Sequence, residues 1–527
     1  MDGLPVTDDT RPVALTARPQ PVRTRPPILS LLQHLWAEEA SSGLARKAPQ
    51  FSARLNPVPL SLILLGGLTP FAILATGLGG PLGLAVLGFL ILPLLAAQAG
   101  LRVIAACQPV RWAPRQNLGE SALPRASLVV ALYREAAVLP RLLRALEQID
   151  YPRDRLEILL ALECDDSETR SALARLDLPA HVRTILVPHG EPRTKPRALN
   201  QALRHCTGDI LAVYDAEDRP HPGQLRAAAE SFAAGAAGLA CLQAPLNWFN
   251  GRESWITRQF TLEYAAHFHA LLPLYRRLRW PLPLGGTSNY FRTRHLRAAG
   301  AWDAWNVTED ADLGLRLHNF GFHCDVIEPM TLEEAPLGLA AWMPQRTRWL
   351  KGYLQTLAVH WPQARTRRDR MALALTLGGT LLSALCCAPG LLIGLIALRR
   401  LLAGDPGAPL LLGILGLGYT ASALCALVAA RRAGLTPCAF ALFTQPVYDA
   451  LKLWPAVRAL YQLVRAPYLW EKTEHGVSAQ SGGGSSISRS PPPSSGSAPS
   501  SPFSSSPAGG PDNPSARKRV RASSPGR

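Results

Sequence analysis

The residues best suited to chemistry are three acids that follow an apolar stretch, in LAVYDAEDRP at 211–220. Asp215, Glu217 and Asp218 come directly after a run typical of a buried parallel strand, and open α/β sheets place ligands at the carboxyl ends of such strands. Carboxylates this close repel one another unless a cation lies among them. A divalent metal that carries a phosphorylated substrate would fill that role. The alternative is a polar turn exposed to solvent.

A second acidic group, in LALECDDSET at 160–169, ends another predicted strand with Glu163, Asp165 and Asp166. If the two strands are adjacent and parallel, both groups lie at the same sheet edge, which indicates a nucleotide-and-metal pocket. Acids also favour a helix N-terminus, a role that suits Asp166. Lys195 opens a predicted helix, where a cation is unfavourable, and one interpretation is that it is placed for an anion.

Further polar residues that could act on a ligand follow later in the chain. Glu309 and Asp310 occur in NVTEDADLG, where they could equally be first-turn acids of a helix capped by Thr308. The glycine-rich bend PLGGTSNYFR at 283–292 would let backbone approach a ligand closely. QRTRW at 345–349 lies on a predicted amphipathic helix. Its Arg and Trp are typical lipid anchors, whereas the carboxamide of Gln345 suggests hydrogen bonding to something polar.

Strand and helix patterns alternate through the region that carries most of these residues. Such alternation with short connections predicts a mostly parallel sheet covered on both faces. The predicted strands span 127–133, 156–163, 182–187, 209–215 and 239–244, and the predicted helices span 138–148, 167–176, 195–205 and 223–233.

Two regions on either side of this domain, 57–106 and 371–430, are nearly free of charge. About 20 apolar residues cross a bilayer, and the pattern predicts about five spans. Flanking arginines place both ends of the first pair in the cytoplasm; Arg399 and Arg400 depart from this rule, and either reach headgroups or indicate another span count. The predicted spans are 58–78, 82–106, 371–398, 410–430 and 436–464, with a tight turn at 79–81. The last begins as a span, but charged residues in its second half allow that half to lie in the membrane interface instead.

These patterns divide the chain into six segments. They are a disordered cytosolic segment (1–56), a transmembrane hairpin (57–106), an α/β domain (107–335), amphipathic interface helices (336–370), a second transmembrane region (371–465), and a segment beginning near WEKTEHG that continues into a disordered Ser/Pro-rich tail (466–527).

Composition excludes some classes of protein. The nine cysteines are scattered without a CxxC pair, which argues against a disulfide framework or a zinc site. The net charge of +17 comes from dispersed basic residues. An excess of this kind is typical of the cytoplasmic faces of membrane proteins. No base-stacking or groove-reading motif is present, so we expect no nucleic-acid partner.

The ordered set DAED, TED and QxxRW, flanked by apolar spans, resembles the membrane-embedded family-2 glycosyltransferases of GT-A fold, such as cellulose and hyaluronan synthases. The strings DAEDRP, GGTSNYFR, NVTEDADLG, QRTRWLKGY and WEKTEHG are most similar to a bacterial branch described as exopolysaccharide or biofilm β-glycosyltransferases. The resemblance covers about residues 126–476. It implies an α/β, Rossmann-like GT-A domain combined with an α-helical transmembrane bundle.

The resemblance also implies a role for each matching residue. Glu163 and Asp165 would hold the base of a UDP-sugar. Asp215 and Glu217, with Asp218 beside them, would bind Mg²⁺ or Mn²⁺, although relatives usually have aspartate where Glu217 stands. The TED aspartate, Asp310, would be the catalytic base, with Glu309 beside it. The remaining binding residues would be Lys195 at the diphosphate, and Gln345, Arg348 and Trp349 at the acceptor end and the diphosphate.

The function implied is that of an inverting hexosyltransferase. It would move a sugar from a nucleotide sugar to a growing polysaccharide at the cytoplasmic face of the inner or plasma membrane, processively and in contact with export partner proteins. Two alternatives stay open: a transferase that adds a single sugar to a lipid carrier, and a transport or scaffold protein with a degenerate transferase domain.

Overall fold

The computed structural model describes residues 27–78, 92–472 and 476–478. Its strands are β1 (Ala126–Leu132), β2 (Leu156–Glu163), β3 (Val182–Val187), β4 (Ile210–Tyr214), β5 (Arg219–Pro220), β6 (Leu239–Gln243), β7 (Leu246–Trp248), β8 (Asn289–Arg292), β9 (His323–Val326) and β10 (Thr331–Glu333).

The α-helices are α1 (Pro27–Lys47), α2 (Leu60–Leu78), α3 (Leu92–Cys107), α4 (Leu139–Glu147), α5 (Ser167–Ala174), α6 (Lys195–Leu203), α7 (Gln224–Ala234), α8 (Trp255–Ala266), α9 (Leu272–Arg277), α10 (Thr293–Ala298), α11 (Glu309–Asn319), α12 (Leu339–His360), α13 (Arg367–Leu373), α14 (Gly379–Leu402), α15 (Ala408–Arg432), α16 (Ala439–Leu451) and α17 (Leu453–Arg465).

The main sheet has seven strands in the order β3-β2-β1-β4-β8-β6-β9. Only β8 runs antiparallel to its neighbours, so the predicted mostly parallel sheet is confirmed. The predicted adjacency of the two acid-bearing strands is wrong, because β1 lies between β2 and β4. All three strands nevertheless run parallel, and the two acidic groups emerge at one edge of the sheet.

Both faces of the sheet are buried, which explains the unbroken apolar runs of the central strands. Side chains alternate along a strand: Leu211 and Val213 of β4 join one hydrophobic core, whereas Ala212 and Tyr214 join the other. A second, three-stranded sheet, β5-β10-β7, follows from the acidic turn after β4. That turn is therefore held between two sheets.

The predicted five-span bundle is not confirmed. Two helices in the described part are long and apolar enough to cross a membrane, Arg367–Leu402 and Ala408–Arg432. Leu60–Ala75 and Leu92–Cys107 are shorter apolar helices, and the predicted turn at 79–81 lies outside the described residues. In place of the fifth span stand α16 and α17, each of 13 residues, about 20 Å long against about 30 Å of hydrocarbon.

The described part of the predicted disordered segment 1–56 is folded instead. Helix α1 and the turn after it dock on the α/β domain through several hydrogen bonds. Trp305 Nε1 donates to Ser41 O over 2.9 Å, Asn200 Nδ2 donates to Ala40 O over 2.9 Å, and Ala53 N donates to Asp303 Oδ2 over 2.6 Å. Residues 1–26 and 479–527 lie outside the described part, where predicted disorder stays a prediction.

Candidate active site

The acidic turn after β4 divides its three carboxylates between two tasks. Asp218 is 1% exposed, and its Oδ2 accepts a hydrogen bond of 2.8 Å from Asp215 N and another from the Thr287 hydroxyl. Asp218 thereby closes the turn. Burial raises the pKa of Asp218 well above its usual range, and the charges of Asp215 and Glu217 add to the shift. Asp215 and Glu217 themselves line a large cavity.

Lys195 lies against this turn at the start of α6. Its ammonium forms an ion pair with Asp215 and donates to Gly286 O over 2.7 Å. Burial lowers the pKa of Lys195, but the charges of Asp215 and Glu309 outweigh that effect, and the net pKa is raised. A fixed ammonium beside the acids fits the interpretation of an anion-binding lysine.

Glu309 and Asp310 begin α11 and lie at the same cavity. Thr308 makes no side-chain cap hydrogen bond, so the predicted capping role is wrong for its hydroxyl. Burial raises the pKa of Glu309 to about 8, aided by the charge of Asp310, and burial also raises the pKa of Asp310. Asp310 Oδ1 accepts from Ala311 N over 2.8 Å, which orients the carboxylate.

The QRTRW residues lie on α12 and also line the cavity. Gln345 is buried, and its Oε1 has no hydrogen-bond partner within the described part of the chain. The Arg348 guanidinium lies 4.5 Å from the ring centre of Trp470, in the WEKTEHG segment. Trp349 packs beside Tyr264, with 6.0 Å between ring centres, and still faces the cavity. These three side chains thus line the same cavity as Asp310.

Arg346, within the same motif, was missed by the sequence analysis. Its Nη1 donates to Glu263 Oε1 over 2.9 Å, its Nη2 donates to the Tyr448 hydroxyl over 2.9 Å, and Lys452 Nζ donates to Glu263 Oε1 over 3.1 Å. Burial opposes ionisation of Glu263, but Arg346 and Lys452 hold its pKa at about 2. This network fixes α12 against α8 and α16. The signal in the sequence that could have pointed to Arg346 is that QRTRW contains a second arginine.

The predicted base-binding acids are already engaged by arginines. Glu163 forms a buried 2.7 Å ion pair with Arg197, a residue that the sequence did not single out. Asp165 lies more outward and pairs with Arg193 over 2.6 Å. Glu163 and Arg193 line the cavity, whereas Asp165 is not among its described lining residues. Glu163 therefore reaches the cavity itself, whereas Asp165 is connected to it through its partner Arg193.

Two consecutive acids on and after β10 were also missed. Glu333 lies at the cavity, and burial raises its pKa well above the usual range, with Asp218, Glu217 and Asp215 adding to the shift. Glu334 accepts hydrogen bonds of 2.7–2.9 Å from the backbone N–H groups of residues 476–478. The C-terminal segment is thus held near the acids by Glu334.

One cavity of about 2090 Å³ joins all these groups. It begins among Lys195, Asp215 and Asp310 and continues between the apolar helices α14 and α15, where residues such as Leu391 and Leu415 line it. Its acidic end has aromatic walls, whereas its other end is aliphatic. A polar ligand and an apolar one could therefore share a single space.

The acidic end fits a hard divalent cation. Its donors are carboxylate oxygens, which Mg²⁺ and Mn²⁺ prefer. Asp218 Oδ1 and Glu333 Oε1 are buried there without a hydrogen-bond partner in the described residues. Buried acceptors normally find partners, and a cation would supply one. Asp215 and Glu217 are the cavity-facing residues of the turn that could hold it.

Residues 124–352 match the model of the family described as "Glycosyltransferase like family 2". This match, which spans less than half of the chain, supports the predicted enzyme class, glycosyltransferase.

Individual relatives cover the same region. "Beta-monoglucosyldiacylglycerol synthase" of Synechocystis sp. (strain ATCC 27184 / PCC 6803 / Kazusa) is 29% identical over 245 residues, 45% of this chain and 50% of that protein. "Probable glycosyltransferase YdaM" of Bacillus subtilis (strain 168) is 26% identical over 250 residues, 46% of this chain and 57% of that protein. The chain therefore spans about half the length of these curated relatives.

Among solved structures, the mannosyltransferase PcManGT of Pyrobaculum calidifontis, in complex with GDP-Man and Mn²⁺, is 20% identical, with a TM-score of 0.45 over 70% of this chain and 97% of that one.

Proposed function

We propose that this protein transfers a sugar, with inversion and with the help of Mg²⁺ or Mn²⁺, from a nucleotide sugar to an acceptor held in the cytoplasmic leaflet of the cell membrane. The observation that carries this proposal is the single cavity that joins the acidic site to the space between α14 and α15. A water-soluble donor would reach its polar end, and a membrane-held acceptor its apolar end.

A membrane location is supported by the outer surface of the helical region. Large apolar side chains are exposed there, among them Leu402 (82%), Leu417 (72%) and Phe443 (78%). Large exposed apolar surface commonly marks an interaction with a partner or a membrane. Because two helices have the length and hydropathy of spans, a bilayer is the environment that suits this surface.

Asp310 is the proposed catalytic base. An inverting transfer is an in-line displacement at the anomeric carbon, and the acceptor hydroxyl loses its proton as it attacks. Asp310 is a cavity-facing carboxylate on the first turn of α11, with one oxygen held by Ala311 N; the other has no hydrogen-bond partner among the described residues and could accept that proton. Its raised pKa increases the basicity of the carboxylate once it is ionised.

The departing nucleoside diphosphate gains charge, which cations at the site can stabilise. Lys195 and Arg348 both line the cavity near Glu309 and Asp310. A divalent ion among the acids would bind the diphosphate and act as a Lewis acid. Gln345, with its unpartnered carbonyl, would accept a hydrogen bond from a sugar hydroxyl, and Trp349 would form an apolar wall beside the sugar ring.

For the acceptor, we favour a lipid or lipid-linked molecule. Among the described residues by which α14 and α15 line the cavity, Tyr419 is the one aromatic side chain; most of the others are Leu, Ile, Ala, Gly or Cys. Acyl chains suit an aliphatic wall, whereas a sugar polymer is better served by aromatic and polar surfaces. The relative named beta-monoglucosyldiacylglycerol synthase is consistent with this acceptor.

Extension of a polysaccharide is the second candidate. It is favoured by the aromatic walls at the acidic end, where Trp349, Tyr353 and Trp470 line the cavity and could stack on successive sugar rings. Processive growth, with export partners, would require the polymer to leave along the helices. The two candidates differ in their product: an organic-soluble glycolipid with one sugar, or a long water-soluble polymer.

The test uses full-length protein in lipid nanodiscs with radiolabelled UDP-glucose, UDP-N-acetylglucosamine, UDP-glucuronate and GDP-mannose. We expect nucleotide release with one donor and label in the chloroform-soluble fraction. High-molecular-weight label on a sizing column would support polysaccharide synthesis instead. If no donor is turned over, the proposed activity is wrong and the degenerate-domain alternative gains support.

A pair of glycine variants tests the role of the apolar end. Gly390 of α14 lines the cavity opposite Leu415, whereas Gly413 of α15 is not among the lining residues, and a Cβ atom added there would have nothing within 4 Å. Gly390→Leu should fill the chamber and reduce transfer to lipid while leaving donor binding intact. Gly413→Leu is the matched control, and equal loss of transfer in both variants would contradict the chamber assignment.

A further inference from the structure

Glu333 is a buried carboxylate that the mechanism above does not use. The residue is 9% exposed, it lines the cavity, and its Oε1 has no hydrogen-bond partner in the described part of the chain. Its backbone is fixed, because Glu333 O accepts from Phe249 N over 3.0 Å and β10 pairs with β7 at Trp248. The side chain therefore points into the site from a rigid strand.

Strand register places Glu333 against the acidic turn. In the antiparallel pair of β10 and β5, Thr331 lies opposite Pro220 and Leu332 opposite Arg219. Continued by one step, this register would place Glu333 opposite Asp218, whose charge acts on Glu333. Residues directly opposite on antiparallel strands share a face, with about 5 Å between their Cβ atoms, and like charges there destabilise the pair. Asp218 Oδ1 is the other unpartnered carboxylate oxygen in this place.

The cations of the chain do not balance this cluster. The carboxylates of Asp218, Glu217 and Asp215 all act on Glu333, whereas Lys195, the cation that acts on it, is engaged by Asp215 and by Gly286 O. A protonated Glu333 would be the simplest alternative, but its hydroxyl would then donate to a neighbour, and no such hydrogen bond exists among the described residues. An additional positive charge would give the orphan oxygen of Glu333 a partner and offset the charge of Asp218.

We infer that Glu333 is a ligand of the divalent cation, and that it completes from β10 the site that Asp215 and Glu217 begin. Asp218 is the positioning residue that shapes the turn. This inference rests on the proposed metal-dependent transfer and extends it, since it adds a ligand from a different strand. Because β10 leads directly into the segment that holds Glu334 and then α12, the cation would tie the acidic turn to the helix that carries Gln345 and Arg348.

The experiment measures Mn²⁺ binding by full-length protein in detergent, from the decrease of the free-ion signal in electron paramagnetic resonance, without donor or acceptor. Glu333→Gln should weaken Mn²⁺ binding at least about 10-fold, since even outer-shell changes cost that much. Glu328→Gln is the matched control, because Glu328 is exposed and pairs only loosely with Arg115 at 3.8 Å. It should bind Mn²⁺ as the unchanged protein does.

Thermal unfolding separates loss of a ligand from loss of the fold. Without metal, Glu333→Gln should unfold at a higher temperature, because the repulsion from Asp218 is relieved; with Mn²⁺, its stabilisation by the ion should be smaller. Unchanged Mn²⁺ affinity in Glu333→Gln would overturn the inference while leaving the proposed function standing. Absence of Mn²⁺ binding by the unchanged protein, even with UDP present, would overturn the metal-dependent function and this inference together.

Discussion

The substitution Asp310→Asn isolates proton transfer from every other task at the site. Asn keeps the size of the side chain and the Oδ1 acceptor for Ala311 N, so the first turn of α11 should be unchanged. What is lost is the basic oxygen. General bases contribute roughly 10²–10⁴-fold to rate, which corresponds to about 3–5 kcal/mol of activation free energy. We therefore expect the maximal rate of sugar transfer to fall by about that factor.

The affinity for the donor, in contrast to the rate of transfer, should not fall in Asp310→Asn. The substitution removes one negative charge from a cavity that must accept an anionic nucleotide sugar, so affinity should stay equal or rise slightly. Titration calorimetry with the donor measures affinity, and labelled product measures transfer. Asp177→Asn is the matched control, since Asp177 is exposed between α5 and β3. Transfer by Asp310→Asn above about a tenth of the original rate, or loss of donor binding with transfer, would refute the assignment of Asp310 as base.

Two further outcomes follow from buried charges. The carboxylate base acts when ionised, so the rate of transfer should rise with pH through the pKa of Asp310. Glu309 and Asp310 repel each other. Glu309→Gln should therefore lower the pKa of Asp310 and shift the rising limb of the pH–rate profile to lower pH. A shift to higher pH would contradict this. Arg197→Met should destabilise the fold by about 3–5 kcal/mol, because it leaves Glu163 buried and unpaired. In chemical unfolding, the double variant Glu163→Leu/Arg197→Met should recover most of that stability. If it does not, Arg197 stabilises the fold mainly through contacts other than its pair with Glu163.

Sequence patterns predicted the central strands well because those strands are buried on both faces. Strand β2 begins and ends at the predicted residues, and β4 is one residue shorter at each end than predicted. Strand β8 was missed: NYFR was interpreted as part of a glycine-rich bend, since four residues with a polar start carry no clear period. Its antiparallel insertion between β4 and β6 depends on long-range pairing.

The candidate site was predicted where local motifs carry it and missed where distant strands or partners do. Asp215, Asp310 and Gln345 come from short motifs and line one cavity, as expected. Glu333 has no motif around it that indicates a ligand; its position depends on the pairing of β10 with β5, more than 100 residues earlier. Likewise, Glu163 was assigned to a nucleotide base without knowledge of Arg197, which a later helix supplies.

The region of the predicted fifth span, which is not confirmed, shows how tertiary contacts compete with hydropathy. The region 436–464 contains enough apolar residues for a membrane crossing, but Lys452 divides it into α16 and α17. Lys452 Nζ donates to Asp449 Oδ1 over 2.8 Å and to Glu263 Oε1 over 3.1 Å, and Glu263 belongs to the α/β domain. A charge paired with that domain must stay at its surface, so the two helices lie along the domain. Trp454 and Tyr461 of α17 are exposed, which suits the aromatic belt of a membrane interface.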